Sequence, residues 1–462
     1  MENEQQNRFM RMLEKFLGGT VITLPQLFSL IFPLFLDQLF VRAISMLNTS
    51  MISSYGTQAI SAVSMVDSVN NLMVNLFMAI STGCTVVVAQ YCGRRDRENA
   101  NLTVAQSVTS SVAIALVISL PMIIFPVKVI GLLFGKGDEL FQDYAVTFLA
   151  ASAISYPFFA VIQTILGAMR GSGNTKVSVY FSTGLNVLNV LLNIIFLNVF
   201  HFGIWGLSIS LIVSRAVTAI VIMFYVMRSG NDYPLKASHF FRLKMNIQRS
   251  VMTVAVPTGL EQVFFHGGRI VTQMFIVGFG TISTASNAVA MSFSGFLQLP
   301  GATMMMAVVT IAGQCIGAGK IDEAKFYIKR ITLLAIIGSG IVSVILGATL
   351  PIFLSFFTLP PEAYQLTMKL CIMNFILTPL VWPSSFVTPN GLRAAGDARY
   401  TSAIALLTMW IVRVLSGYIF GVVLGFGIMG VWAAMFLEWL VRSVFFLTRI
   451  KTDKWYHPVI KE

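Results

Sequence analysis

The chain has 462 residues, 56% of them hydrophobic and only 11% charged, with a formal net charge of +12. Ordinary soluble domains carry about a quarter charged residues, so this composition excludes one and places the chain in a bilayer. Most of its Lys and Arg lie at one alternating set of connections between apolar runs, a pattern that reports membrane orientation and not a nucleic-acid interface.

Arg8, Arg11 and Lys15 precede the first apolar run, which is too long for the core of a signal peptide and lacks a small-residue cleavage site. It reads as a spanning helix. Further runs near the roughly 20 residues that cross the hydrocarbon as a helix follow along the chain. Twelve spans are predicted: 24–47, 57–88, 103–126, 146–168, 178–199, 204–227, 251–277, 284–312, 331–354, 366–388, 401–423 and 427–448. A barrel would show short alternating strands in their place. The expected fold class is therefore an all-α integral membrane protein with twelve transmembrane helices.

The first half is written again 224 positions later. Pro33-Leu-Phe-Leu-Asp37-Gln38 returns as Pro257-Thr-Gly-Leu-Glu261-Gln262, Gly56-Thr57 as Gly280-Thr281, and Gln90-Tyr-Cys-Gly93 as Gln314-Cys-Ile-Gly317. Phe202-Gly203-Ile204 and Gly206 answer to Phe426-Gly427-Ile428 and Gly430. With six spans in each half, both halves run in the same direction, as two six-helix bundles related by a parallel, pseudo-twofold repeat. The domains expected are an N-lobe over 1–227, a cytoplasmic linker over 228–250 rich in basic residues, and a C-lobe over 251–462 with a short tail. Lys128 and Lys136 are the two basic residues of the opposite connections, so the positive-inside rule puts both termini in the cytoplasm.

Several chemistries are excluded by motif. The chain has no Walker loop, no H-E-x-x-H and no G-x-S-x-G. Gly135-Lys-Gly-Asp138 has the letters of an intramembrane aspartyl protease but lies in a polar connection without its partner motif, so no enzyme is expected. Cys84, Cys92, Cys315 and Cys371 show no C-x-x-C spacing and read as packing residues, not as disulfides or a zinc site.

Ionisable side chains inside spans are expensive and need a reason. Asp37 and Glu261 occupy equivalent positions, each one turn after a proline. Pro33 and Pro257 should bend their helices and leave a backbone carbonyl without its donor. A carboxylate beside such a carbonyl is a candidate proton or Na⁺ site. The alternative is structural pairing, but Arg42 and His266 each follow their acid by five, a poor helical spacing. Glu438 and Arg442 are four apart and read as a structural ion pair. Gln38, Gln262, Asp67, Arg215, Arg269 and Arg413 are candidates to face a central cavity. Asn186, Asn189 and Asn193 form a stripe on the fifth span that either lines a polar cavity or hydrogen-bonds neighbouring helices. The 37 Phe and 24 Met, with Met304 to Met306 in a row, suit an adaptable pocket.

The polar turns Gln90-Tyr-Cys-Gly93-Arg-Arg-Asp-Arg-Glu98, Gln314-Cys-Ile-Gly317-Ala-Gly-Lys and Arg170-Gly-Ser-Gly-Asn174, with the ending Gly430-Val-Trp-Ala-Ala-Met435 and Glu438-Trp-Leu-Val-Arg442, resemble a bacterial branch of the multidrug and toxic compound extrusion (MATE) transporters. The resemblance covers essentially the whole chain. It implies a V-shaped pair of bundles in the bacterial inner membrane, acting as a monomer without cofactor. It also implies alternating access and export of amphipathic, often cationic, small molecules against entering Na⁺ or H⁺. The chain departs from the family pattern where coupling is usually placed. Asn48 stands where an aspartate is usual in the first helix, Asn193 where the fifth helix is often acidic, and Phe265 where the seventh helix has a glutamate. Asn48 can offer a carbonyl to an ion but carries no proton. Either Asp37 and Glu261 have taken over coupling or coupling is altered. The alternative function is a flippase for a lipid-linked precursor, which would need a more cationic cavity, and Arg42, Arg215, Arg269 and Arg413 keep it open. A receptor or scaffold lacks any soluble segment larger than the linker.

Overall fold

The computed structural model describes residues 18–52, 57–135, 139–228, 235–242, 244–357 and 359–460. Helices make up the fold, and no strand occurs among the described residues. In chain order they are α1 (Leu24–Ile52), α2 (Thr57–Gly93), α3 (Arg97–Ile124), the short α4 (Pro126–Phe134), α5 (Glu139–Gly171), α6 (Thr175–Asn193), α7 (Gly203–Met227) and the short α8 (Ala237–Phe241). The second half contains α9 (Met245–Gly278), α10 (Thr281–Leu297), α11 (Leu299–Gly317), α12 (Ile321–Ser355), α13 (Pro361–Ala394), α14 (Ala398–Leu407), α15 (Leu415–Tyr418) and α16 (Gly427–Arg449). Three stretches are π-helical: Ile194–Val199 extends α6, while Thr408–Val414 and Ile419–Val423 flank α15.

Eleven helical segments among the described residues are long and apolar enough to cross a membrane. The predicted seventh span coincides with α9, which has the length but is not among the eleven. It carries Arg249, Glu261, His266 and Arg269. The predicted eighth span, 284–312, is interrupted. Gln298 ends α10 and caps α11, with Pro300 in the first turn of the new helix, where its missing N–H breaks no bond. The Gly135-Lys-Gly-Asp138 motif falls largely outside the described residues, as does the Asn48 side chain, although its backbone belongs to α1.

Four helix ends share one geometry. After α2, α5, α11 and α13, a residue with positive φ (Arg95 at 62°, Gly173 at 91°, Gly319 at 74°, Gly396 at 93°) reverses the chain. The next amide bonds the carbonyl five residues back, as Asp96 N to Tyr91 O, Asn174 N to Met169 O, Lys320 N to Cys315 O and Asp397 N to Leu392 O. This is the Schellman closure, which satisfies carbonyls that the helix end would orphan. Asp96 and Asn174 then cap the following helices, accepting from Asn99 N and Val177 N. The other repeated corner is set by close approach. A Cβ on Gly206 would stand 3.0 Å from Phe196 O, and one on Gly430 would stand 2.6 Å from Phe420 O. Glycine at both positions lets the π-helical segments lie against the start of the next helix.

The described residues form two compact units: Phe32–Gly259, and the residues up to Ile31 together with those from Leu260 onward. The divisions fall inside α1 and α9, beside Pro33 and just after Pro257. In the first unit, buried clusters form around Phe77, Tyr156 and Phe159 and around Ile162, Ile165 and Ile222. Gly83 lets α2 approach the early part of α9, since a Cβ there would stand 2.7 Å from Val251 O. The second unit centres on Leu370, Phe375, Trp432, Phe436 and Trp439, with Trp432 Nε1 donating to Asn287 Oδ1 at 3.0 Å. The segment before α1 is tied to α12 in this unit. Thr20 Oγ1 donates to Glu323 at 2.7 Å, Val21 N donates to Glu323 at 3.0 Å, and Tyr327 OH donates to Ile22 O at 2.6 Å.

Candidate functional site

Asp37 is 6% exposed in the first unit. Ser182 of α6 hydrogen-bonds its carboxylate and Arg170, at the end of α5, lies within electrostatic range. Its Oδ1 is buried and accepts no hydrogen bond among the described residues. Arg170 also donates to Ser81 at 3.3 Å. A second polar network joins α2, α5 and α7. Asn70 donates to Asp67 at 3.1 Å and to Ser152 at 3.1 Å, and Tyr156 OH donates to Asn70 at 2.7 Å. Arg215 donates to Ser155 at 2.7 Å and stacks 4.4 Å from the Phe159 ring, with Asp67 among its charged neighbours. Asp67 and Arg215 therefore share one network.

The asparagine stripe lies mostly on protein partners. Asn186 donates to Ser182 O at 2.9 Å, Asn189 to Ser214 of α7 at 3.2 Å, and Asn193 to Asn189 Oδ1 at 3.3 Å. Gln38 and Gln262 are both partly buried. Arg42 is exposed.

In the second unit Glu261 is also 6% exposed, but it is held from two sides. Arg393 Nη2 donates to its Oε2 at 2.5 Å and Ser402 Oγ donates to the same oxygen at 2.8 Å. Arg393 in turn bonds Thr401 at 3.2 Å. The neighbour that holds this acid is thus Arg393, 132 residues away, and not His266. Arg393-Ala-Ala-Gly-Asp397 is the second copy of Arg170-Gly-Ser-Gly-Asn174, so each acid lies near the arginine of the same turn in its own half. That partnership was missed in the sequence, although the repeated Arg-x-x-Gly-[Asn/Asp] turn was the signal for it. Arg442 donates to Glu438 Oε1 at 3.0 Å, the ion pair its spacing of four predicts. Arg413 Nη1 approaches Glu438 Oε2 at 4.0 Å. Among the described residues, no group of three His, Cys, Asp or Glu is placed to hold a metal ion.

Duplicated halves of membrane-length helices, with charges buried inside each, are the architecture of a polytopic membrane transporter. The chain belongs to the MatE family, whose model matches residues 33–195 and again 257–419, each match beginning at the helix proline. It is 25% identical over 435 residues to the uncharacterized transporter YisQ of Bacillus subtilis, covering 93% of this chain and 94% of that one. It is 21% identical over 436 residues to the probable multidrug resistance protein NorM of Thermotoga maritima, covering 93% and 92%. The fold matches a solved MATE structure in complex with MaL6 at a TM-score of 0.84, with 17% identity over 92% of this chain and 96% of that one. It also matches, at 0.80 and 19% identity over 92% and 95%, a MOP superfamily transporter from Pyrococcus furiosus described as having a binding pocket of reverse polarity.

Proposed function

We propose that the chain is a secondary transporter of the bacterial inner membrane. It exports amphipathic small molecules from the cytoplasm by alternating access, in exchange for Na⁺ or H⁺. The family and the multidrug resistance names of relatives such as NorM support export. The observation that carries coupling is the asymmetry between the two repeat-equivalent acids. Glu261 is held by Arg393 and Ser402, whereas Asp37 keeps one buried oxygen without a hydrogen bond. A buried carboxylate oxygen with no donor is where an entering cation finds a ligand. Asp37 is the coupling acid in this reading, and Glu261 anchors α9 to the turn after α13. The Lys and Arg distribution supports cytoplasmic termini.

A cationic cargo would need a carboxylate within reach. Each of the acids Asp37, Asp67, Glu261 and Glu438 has an arginine nearby. The flippase reading is favoured by one observation: in the second unit Arg393, Arg413, Arg442 and Arg269 outnumber the acids beside them, Glu261 and Glu438.

The test is transport in proteoliposomes under an imposed Na⁺ or proton gradient, with ethidium and taurocholate as cationic and anionic probes. Gradient-driven movement of either probe, lost in Asp37→Asn, supports a coupled exporter. Movement of neither probe alongside passage of a lipid-linked sugar supports the flippase.

A further inference from the structure

The eleventh span differs from its repeat. Ile419–Val423 is the counterpart of the π-helical Ile194–Val199, with the same closing bonds: Leu424 N to Ile419 O and Phe426 N to Phe420 O answer to Phe200 N to Ile195 O and Phe202 N to Phe196 O. The stretch Thr408–Val414 has no such counterpart, since the equivalent residues 184–190 are α-helical. π-helical turns inside α-helices are rare and concentrate at functional sites.

This added turn carries Arg413, which is 7% exposed. Its Nε is buried and has no hydrogen-bond partner among the described residues. Its charged neighbours are Glu438, Arg269 and Arg442, which with Arg413 itself makes three guanidinium groups to one carboxylate. Glu438 is already committed to Arg442 at 3.0 Å, and the Arg442 guanidinium lies 4.6 Å from the Phe386 ring and 5.8 Å from the Phe446 ring. Arg269 is brought close by packing. A Cβ on Gly268 would meet Met409 Cε at 2.5 Å and Cγ at 2.8 Å, and one on Gly267 would meet Trp410 at 3.6 Å. Two glycines thus press α9 against the π turn just before the exposed Arg269. Glu438 is shared between Arg442 at 3.0 Å and Arg413 at 4.0 Å, so one carboxylate faces three guanidinium groups, and that excess of positive charge favours an anion.

We propose that Arg413 and Arg269 form an oxyanion-binding site in the second unit, with the Glu438–Arg442 pair fixing Arg413. The site takes the carboxylate, sulfonate or phosphate head of an amphipathic cargo. Guanidinium groups suit such oxyanions through paired N–H donors. The inference rests on the export reading for the word cargo, but binding to purified protein tests the site without transport.

The experiment measures equilibrium binding of radiolabelled taurocholate to the full chain in nonionic detergent, with farnesyl diphosphate and inorganic sulfate as competitors. The wild type is expected to bind taurocholate. Arg413→Gln and Arg269→Gln are each expected to weaken it at least tenfold while ethidium binding holds or tightens. Arg269→Gln sits on an exposed helix face and keeps the test valid if Arg413→Gln misfolds. Competition by farnesyl diphosphate at taurocholate-like concentrations would extend the site to lipid-linked cargo, and weaker competition would confine it to soluble amphiphiles. Both outcomes uphold it. The proposal is overturned if taurocholate does not bind, if both variants bind it normally, or if sulfate alone competes equally well. Binding that persists in a protein moving nothing under any gradient would sink the export reading and spare the site.

Discussion

Positions 189 and 214 in the first half, and 413 and 438 in the second, are the same two places in the repeat. In the first unit they are Asn189 and Ser214, joined by a neutral hydrogen bond of 3.2 Å. In the second they are Arg413 and Glu438, a charged pair 4.0 Å apart with Arg442 on the other carboxylate oxygen. The scaffold is common: the same turns, the same glycine contacts and the same terminal π segment. What has diverged is the charge inside it. The first unit balances Asp37 and Asp67 against Arg170 and Arg215, while the second sets Glu261 and Glu438 against Arg393, Arg413, Arg442 and Arg269. Duplication supplied two equivalent scaffolds, and substitution gave them different electrostatic duties.

The strongest way to break this comparison is to neutralise one member of a buried pair. Glu438→Gln leaves Arg413 and Arg442 unpaired and should destabilise by about 3–5 kcal/mol, read from the thermal unfolding of purified protein. Glu261→Gln should have a similar effect through Arg393, and Glu261→Gln with Arg393→Gln should recover much of it. Next comes packing. Gly268→Ala should destabilise by about 1–3 kcal/mol because its Cβ meets Met409, while Gly267→Ala, with 3.6 Å of room, should be close to neutral. The smallest effect is expected at the neutral counterpart, where Ser214→Ala should remove only about 0.6 kcal/mol. If Ser214→Ala and Glu438→Gln proved equally damaging, the two positions would not differ in the way their chemistry implies. Asp37→Asn sharpens the contrast on the functional side. It should lower gradient-driven export at least tenfold while the protein still reaches the membrane, and export at the normal rate would remove Asp37 from coupling.

The repeat, the helices and the family were legible because their signals are local: apolar runs of membrane length and glycines at recurring turns. The interrupted eighth span was half visible in Pro300. The partnerships were not visible. Glu261 and Arg393 lie 132 residues apart, and only the repeat of the Arg-x-x-Gly turn hints that they belong together. Spacing along one helix can propose Arg442 for Glu438, but it cannot propose Arg413, which arrives from a different helix. The π turn at Thr408–Val414 was hidden for a related reason. Its Thr-Met-Trp-Ile-Val-Arg-Val sequence is as compatible with an α-helix, and its close fit against Gly267 and Gly268 shows only in the packing.

The segment before α1 gives the molecule a timetable. Thr20, Val21 and Ile22 find their partners on Glu323 and Tyr327, some three hundred residues downstream. At a synthesis rate of about 5–20 residues per second, the start of the first helix waits roughly 15–60 seconds for the surface it will rest on. The unit that contains the beginning of the chain is therefore the later one to be completed. Until Tyr327 emerges, the stretch from Thr20 to Ile22 lacks the surface that α12 provides.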